Sequence, residues 1–291
     1  MHSYLITGSE GQLAKCFFAI QQEFPQYQLL FANQSEVDIT KAQTISDYFK
    51  KYPFEGIINC AAYTKVDQAE YESYSAYKIN CEGVKVLIQF AESKNLKLIH
   101  FSTDFVFDGT IKREYLEDDQ MTPLNTYGQS KREGEIYLEK ANCPSINFRI
   151  SWLYSPYGKN FVKTIIKDCK SKTTIKVVDD QFGKPTYGLD LARVVLYSLK
   201  HIDLFNYKTY HFSQGPQTSW FGFACKIIEF INLDCKVESI SSLAFPTPAK
   251  RPSNSALDTK RIESTLCLKI RPWELALKEC LKKIRENEKH I

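Results

Sequence analysis

The chain has 291 residues, 43% hydrophobic and 25% charged, an ordinary composition for one large domain or a main domain carrying a smaller one. Its 38 Lys and Arg against 34 Asp and Glu leave a formal charge of +4. The basic residues are scattered rather than striped, which excludes nucleic acid as the first partner to consider, and no apolar run approaches the roughly 20 residues of a membrane span.

The opening, MHSYLITGSEG, runs directly into an apolar strand without a charged leader. The nine cysteines are odd in number, dispersed and never spaced Cys-x-x-Cys, so they read as reduced core thiols of a cytosolic protein. The five histidines stand apart from one another and from any cysteine pair, and no metal site is assigned.

Along the first half, short apolar runs alternate with longer amphipathic stretches. Strands are expected at Ser3–Thr7, Gln28–Ala32, Gly56–Cys60, Lys97–Ser102 and Ile146–Ile150, with helices near 11–23, 41–51, 73–94 and 126–141. Within 84–94, Val84, Leu87, Ile88 and Ala91 fall at the spacing of one buried helix face. This alternation predicts an α/β fold of βαβ units, a parallel sheet with helices on both faces. Past residue 150 the regularity weakens. Helices are expected at 159–171, at 220–231 and from Pro272, around an extended Pro- and Ser-rich stretch at 240–258. Residues 1–150 therefore read as a dinucleotide-binding domain, with returning segments from about 183–215, and 151–291 mainly as a smaller substrate lobe.

In such sheets ligands bind beyond the carboxyl ends of the strands, so the motifs that follow strands carry the argument. LITGSEGQLA at 5–14 places Gly8 and Gly11 between a strand and a helix, where glycines let backbone N–H groups approach a pyrophosphate. Ala14 stands where close packing on the sheet favours a small residue. The second strand ends Ala32, Asn33, Gln34, Ser35, with neither a carboxylate for a ribose 2′-hydroxyl nor a cation for a 2′-phosphate, so NADH and NADPH both remain open. Asp38 either helps seat the adenine or belongs to the cap region of the helix near Lys41. Ala61 and Ala62, after the third strand, are small enough for a cofactor to pass, although tight packing of a turn would use them equally.

Strand four ends Ser102, Thr103, Asp104, placing a hydroxyl where it would hydrogen-bond a reacting carbonyl. A plain Ser/Thr/Asp turn is the alternative. Tyr127 and Lys131 follow at i and i+4 on one helix face. A free phenol, with a pKa near 10, is a sluggish acid at neutral pH; a nearby ammonium favours the phenolate and lowers it. The glycine turn, the strand-four hydroxyl and Tyr-x-x-x-Lys together outweigh the reading of a solvated helix. They point to a general acid that protonates the alkoxide formed when hydride reaches a ketone.

These residues resemble the extended short-chain dehydrogenase/reductases. GQL at 11–13, STDFVFDG at 102–109, PLNTYGQSK at 123–131, RISWLY at 149–154, GKPTYG at 183–188 and RPSNSALD at 251–258 are similar, in order over nearly the whole chain, to the dTDP-4-dehydrorhamnose reductase family. The resemblance implies a Rossmann-type doubly wound parallel sheet with a smaller C-terminal sugar-nucleotide lobe, and NADPH- or NADH-dependent reduction of a dTDP-sugar ketone, with Thr103, Tyr127 and Lys131 as the catalytic group. It implies a cofactor bordered by Gly8, Gly11, Gln12, Leu13, Asp38, Ile39, Ala61, Ala62 and Tyr63, besides Tyr127 and Lys131. Val66, Asp104 and Trp152 would face the sugar, and Thr186 would border the substrate. Arg251 would grip the diphosphate with paired hydrogen bonds, a surface salt bridge being its alternative.

The chain departs from the family pattern at Ala14, Cys60, Tyr63 and Lys65, changes that bear on the sugar more than on the chemistry. Some family members dimerise around magnesium held by carboxylates. That carboxylate set is not recognisable here, and a homodimer is left open. Two other readings stand beside the rhamnose reductase: a reductase of another dTDP-4-keto-6-deoxy sugar, and a non-catalytic subunit like the regulatory relatives attached to methionine adenosyltransferase. The retained Ser102-Thr103-Asp104 and Ser151-Trp152 favour an enzyme.

Overall fold

Strands β1 (His2–Thr7), β2 (Tyr27–Ala32), β3 (Gly56–Asn59), β4 (Lys97–Thr103) and β5 (Ser145–Ile150) fall within a residue or so of their expected places. The computed structural model describes residues 2–289. Tyr4, Leu5, Ile6, Ile57, Ile58, Leu98 and Ile99 are all buried, the near-continuous apolar reading of strands covered on both faces. Every pairing among them is parallel, with Thr7 opposite Asn59 and Asn59 opposite His100.

Helix α1 (Gln12–Ile20) packs on one face of the sheet, while α2 (Ala42–Lys51) and α3 (Gly83–Lys94) bury the other. Of the face read from the sequence, Val84, Leu87, Ile88 and Ala91 are all buried. The expected single helix over 73–94 is instead three pieces: Ser73–Tyr77, a π-helical turn at Lys78–Glu82, and α3. The wider turn aims Asn80 inward. Its side chain accepts from Tyr63 N at 2.9 Å and donates to Tyr63 O and Ser130 Oγ, each at 3.0 Å. A one-residue widening leaves the apolar periodicity nearly intact, which is why the pattern does not reveal it.

Past α4 (Thr126–Glu139) and β5, the region expected to hold the smaller lobe comprises α5 (Phe161–Ser171), β6 (Thr174–Val178), α6 (Gly188–Ser198), β7 (Thr209–Phe212), α7 (Trp220–Ile231), β8 (Lys236–Ile240) and α8 (Trp273–Lys289). β7 returns to the main sheet and pairs in parallel with β5. The six strands run β7-β5-β4-β3-β1-β2, so the order reverses beside β1. That reversal opens a crevice outside the carboxyl ends of β1 and β3, where doubly wound sheets bind ligands. In the lobe, β6 and β8 form a separate parallel pair. Among the described residues, no helix is long and apolar enough to cross a membrane.

Candidate active site

The crevice begins at Gly8, whose φ of +63° is a left-handed conformation natural to glycine. A side chain there would also bring its Cβ within 2.8 Å of Ala61 Cα, so the turn after β1 lies directly on the turn after β3. Gly11 N donates to Gly8 O at 2.9 Å, and Gly11 then begins α1 without a side-chain cap. The first amides of α1 are therefore free for an anion, and the helix dipole favours one. Ala14 and Leu13 are buried behind this turn.

Two cavities meet here. The first, about 400 Å³, is lined by Gly8, Gly11, Asn33, Asp38, Ile39, Ala61 and Ala62. The second, about 390 Å³, is lined by Gly11, Gln12, Leu13, Ala62, Thr103, Asp104, Tyr127, Lys131 and Trp152. Gly11, Cys60 and Ala62 belong to both. Asp38 spends one oxygen on Thr40, accepting from its N at 3.0 Å and its Oγ1 at 2.8 Å, and the other on Lys41 at 3.0 Å. Burial works against its charge, but these bonds win and hold the carboxyl below its ordinary value. Asp38 thus lines the crevice while bracing the turn before α2. At the end of β2, Asn33 Oδ1 is committed to Ser35 N and Oγ at 2.9 and 2.7 Å.

Tyr127 and Lys131 owe their place to the start of α4. Asn125 caps the helix, its Oδ1 accepting from Gly128 N at 2.8 Å. A Cβ on Gly128 would collide with the Phe105 carbonyl oxygen, so glycine lets the helix press against the exit of β4. The i and i+4 side chains then face one cavity, as the spacing predicts. Burial pushes the Tyr127 phenol up to about 12; a hydrogen bond with Thr103 opposes this and the Asp104 charge adds to it. Lys131 Nζ is held on Phe101 O at 2.6 Å, with His100 Nε2 3.5 Å away. Burial brings the lysine itself down to about 8, with Glu135 opposing.

Thr103 Oγ1 donates to Asp104 Oδ1 at 3.1 Å and accepts from Phe105 N at 3.2 Å. Asp104 is buried and its Oδ2 has no partner; Ser102 Oγ beside it has none either. Burial pushes the Asp104 carboxyl up to about 7, against hydrogen bonds from Ser255 and Thr103. Orphaned buried polar atoms are costly, and two of them at one cavity invite a polyhydroxylated ligand. Trp152 holds a left-handed φ of 49° and lies flat on Trp220, ring centroids 3.5 Å apart at an interplanar angle of 10°. Gly183 makes room for it, since a Cβ there would sit 2.7 Å from Trp152 Cε2.

Four expected residues lie outside these two cavities. Tyr63 is buried, with its hydroxyl on Glu72 Oε2 at 2.9 Å. Val66 opens the one-turn helix Val66–Ala69 beyond the linings. Thr186 is fully buried and gives its hydroxyl to Phe212 O at 3.2 Å. Arg251 is tied to Asp67 Oδ2 at 2.8 Å and to Ala249 O at 3.1 Å, the salt-bridge alternative to diphosphate binding. Conversely, sequence reasoning passed over Asn59, His100 and Trp220. For the first two the signal was present: polar side chains inside otherwise apolar parallel strands.

A dinucleotide-type sheet with a glycine turn and uncapped helix amides at the switch point, and a hydroxyl, a tyrosine and a lysine around the adjoining cavity, is the arrangement of the extended short-chain dehydrogenase/reductase class. A family model described as RmlD substrate binding domain matches residues 1–286. A dTDP-4-dehydrorhamnose reductase of Aggregatibacter actinomycetemcomitans is 39% identical, the match covering 96% of this chain and 98% of the relative. The crystal structure of a dTDP-4-dehydrorhamnose reductase from Clostridium acetobutylicum, 37% identical, superposes with a TM-score of 0.91 over 97% of this chain and 99% of that one. The Bacillus anthracis dTDP-4-dehydrorhamnose reductase in complex with NADP is 36% identical, with a TM-score of 0.90 over the same shares, 97% and 99%. The chain belongs to the dTDP-4-dehydrorhamnose reductase family.

Proposed function

We propose that the protein is a cytoplasmic enzyme that reduces the C4 ketone of dTDP-4-dehydro-L-rhamnose to dTDP-L-rhamnose with NADPH or NADH, taking its proton from Tyr127. The joined cavities carry the reading: one has the features of a dinucleotide groove, and the other gathers an acid, a hydroxyl and an indole at its end. The residues fit the cofactor, because α1 opens on amides that no side chain caps, at the rim of the cavity lined by Gly8 and Gly11. Asp38 and Ile39 border the adenosine, and the free amides of Gln12 and Leu13 receive the pyrophosphate. Lys131 holds the nicotinamide ribose. Bound NADPH or NADH supplies the hydride. With no carboxylate and no cation directly after β2, either cofactor is accommodated.

Thr103 turns its hydroxyl proton from Asp104 Oδ1 to the C4 oxygen, and Tyr127 delivers its proton to that oxygen. A phenol raised by burial keeps its proton until the alkoxide, a stronger base, develops. Positive charge arriving beside it favours the phenolate once the proton has gone. Asp104 Oδ2 and Ser102 Oγ, both without protein partners, receive sugar hydroxyls. Trp152 offers the sugar ring an apolar face, and Arg251 lies ready to exchange Asp67 for the substrate diphosphate.

The test is the 340 nm absorbance of NADPH or NADH mixed with protein and dTDP-4-dehydro-L-rhamnose. Oxidation with either cofactor is expected. No oxidation with both would sink the assignment, and turnover of only another dTDP-4-keto-6-deoxy sugar would reassign the substrate while keeping the chemistry.

A further inference from the structure

We infer that Lys159 is a further binding residue, a cation held at the mouth of the second cavity to pair with the pyrophosphate of NADPH or NADH. This rests on the reading of the crevice as a dinucleotide site. Lys159 lines the second cavity together with Gly11, Gln12 and Leu13, the residues that open α1. It is exposed, and among the described residues its ammonium has no hydrogen-bond or ion-pair partner. A lysine loose on a surface is ordinary, but the residues on either side of this one are fixed. Gly158 holds a left-handed φ of +64°, and a Cβ there would sit 3.3 Å from Gln12 Cβ. Asn160 Oδ1 accepts from Lys163 N at 3.2 Å and so caps α5. An amide atom that receives a backbone N–H is the oxygen, which settles the orientation of Asn160. Its Nδ2 therefore donates to Gln12 Oε1 and to Ser155 O, each at 2.8 Å. Gln12 in turn donates from Nε2 to Leu153 O at 3.1 Å. Residues 153–160 are thus clamped onto the first residue of α1, and the clamp sets Lys159 beside the uncapped end of that helix.

An anion is the ligand this edge suits. Gln12 and Leu13 offer N–H groups at the positive end of a nine-residue helix, and an ammonium without a counter-ion stands beside them. The same cavity holds Ser102 Oγ and Asp104 Oδ2, buried and unpartnered, an independent sign that a ligand completes it. Its other cation, Lys131, is spent on Phe101 O at 2.6 Å. Two diphosphates compete for Lys159, the cofactor's and the sugar nucleotide's. The tie from Asn160 to Gln12 puts Lys159 with the α1 amides, whereas Arg251, the cation for the substrate diphosphate, lines neither cavity. The cofactor's pyrophosphate is therefore the partner. Lys163 and Lys167 follow on the exposed face of α5, in a groove of about 610 Å³ that Lys159 also lines. They add positive field but no contact, since neither lines the second cavity.

Titration calorimetry with NADPH, and separately with dTDP, reads this contact without turnover. Lys159→Met should raise the Kd for NADPH roughly five- to tenfold, between the worth of an exposed ion pair and that of a charged hydrogen bond. The loss should shrink as salt rises from about 0.1 M to about 1 M, and Lys159→Arg should restore most of the affinity. The Kd for dTDP should not change. Lys163→Met, one turn along the groove, should leave NADPH binding within about twofold of wild type, because a distant exposed charge is screened. Weaker dTDP binding in Lys159→Met, an unchanged Kd for NADPH, or an equal NADPH loss in Lys163→Met overturns the inference. Wild-type protein that binds neither NADPH nor NADH would sink the dinucleotide reading and this contact with it. Binding without reduction of any sugar ketone would leave the contact standing, so the two failures are separable.

Discussion

Asp104 and Tyr127 illustrate how one small volume gives two acids different tasks. Both are raised by burial, the carboxyl to about 7 and the phenol to about 12, so near neutrality Tyr127 is always protonated and Asp104 is divided. Tyr127→Phe removes the proton source while keeping the ring that meets Phe105 edge-on at 6.1 Å. Turnover should fall by roughly 10²–10⁴-fold, the usual worth of a positioned acid, while NADPH affinity by fluorescence titration stays within about threefold of wild type. Near wild-type turnover would remove Tyr127 from the chemistry. For Asp104 the folded pKa lies above the ordinary 3.8. Its contribution to stability is therefore fully present below pH 4 and is lost as pH rises towards 7. Asp104→Asn abolishes that loss, so the variant should gain stability relative to wild type between pH 4 and 7, by a few kcal/mol at most. Denaturant melts at pH 4, 5.5 and 7 measure it, and a difference that does not change with pH would contradict the buried-charge account.

At the scale of elements, the motif TYGQSKREGE specifies much more than a proton donor. Asn125 caps α4, Gly128 lets it touch the Phe105 backbone, and Gly134 does the same against the Asn80 carbonyl of the π-helical turn. Gly128→Ala needs a Cβ where the Phe105 carbonyl oxygen sits, and backbone on both sides cannot yield cheaply. The expected result is a loss of about 1–3 kcal/mol in stability and a larger loss in kcat than in cofactor affinity. Urea unfolding and steady-state kinetics give both numbers, and a neutral substitution would mean that the contact between α4 and the β4 exit is not tight. Here the sequence was legible where local rules govern: glycine turns, the i and i+4 face, parallel apolar strands. It was not legible where tertiary partners decide. Nothing local to Thr186 says that Phe212 O takes its hydroxyl, nor to Tyr63 that Glu72 takes its phenol. The sense of the Tyr127 shift likewise depends on burial and on where Lys131 Nζ finds a carbonyl, which spacing does not encode.

Across the whole molecule, the Rossmann sheet and the smaller lobe meet at the aromatic layer behind Trp152. Trp152 follows β5 of the sheet, and Trp220 begins α7 of the lobe. Their rings lie parallel, and Phe161 and Phe223 extend the layer at centroid distances of 4.6 Å from Trp220 and 6.5 Å from Trp152. This packing sustains the left-handed backbone at Trp152, a conformation that costs roughly 1–3 kcal/mol at a non-glycine residue. The irregular chain past residue 150 hid the arrangement, because a tryptophan at the head of a helix reads as ordinary core until the fold stacks it on Trp152, which lines the second cavity. Trp220→Ala removes the stacking partner but touches neither the glycine turn nor Tyr127. The folded variant should therefore keep its NADPH affinity and lose binding of the dTDP-sugar, with KM for the sugar rising about tenfold, the size of one aromatic contact. Trp220→Phe, which restores a flat ring on Trp152, should recover most of it. Titrating cofactor and dTDP-sugar separately against both variants decides the point: equal losses for the two ligands would mean that the layer supports the whole fold, and no loss for the sugar would mean that Trp152 does not need the lobe to hold its place.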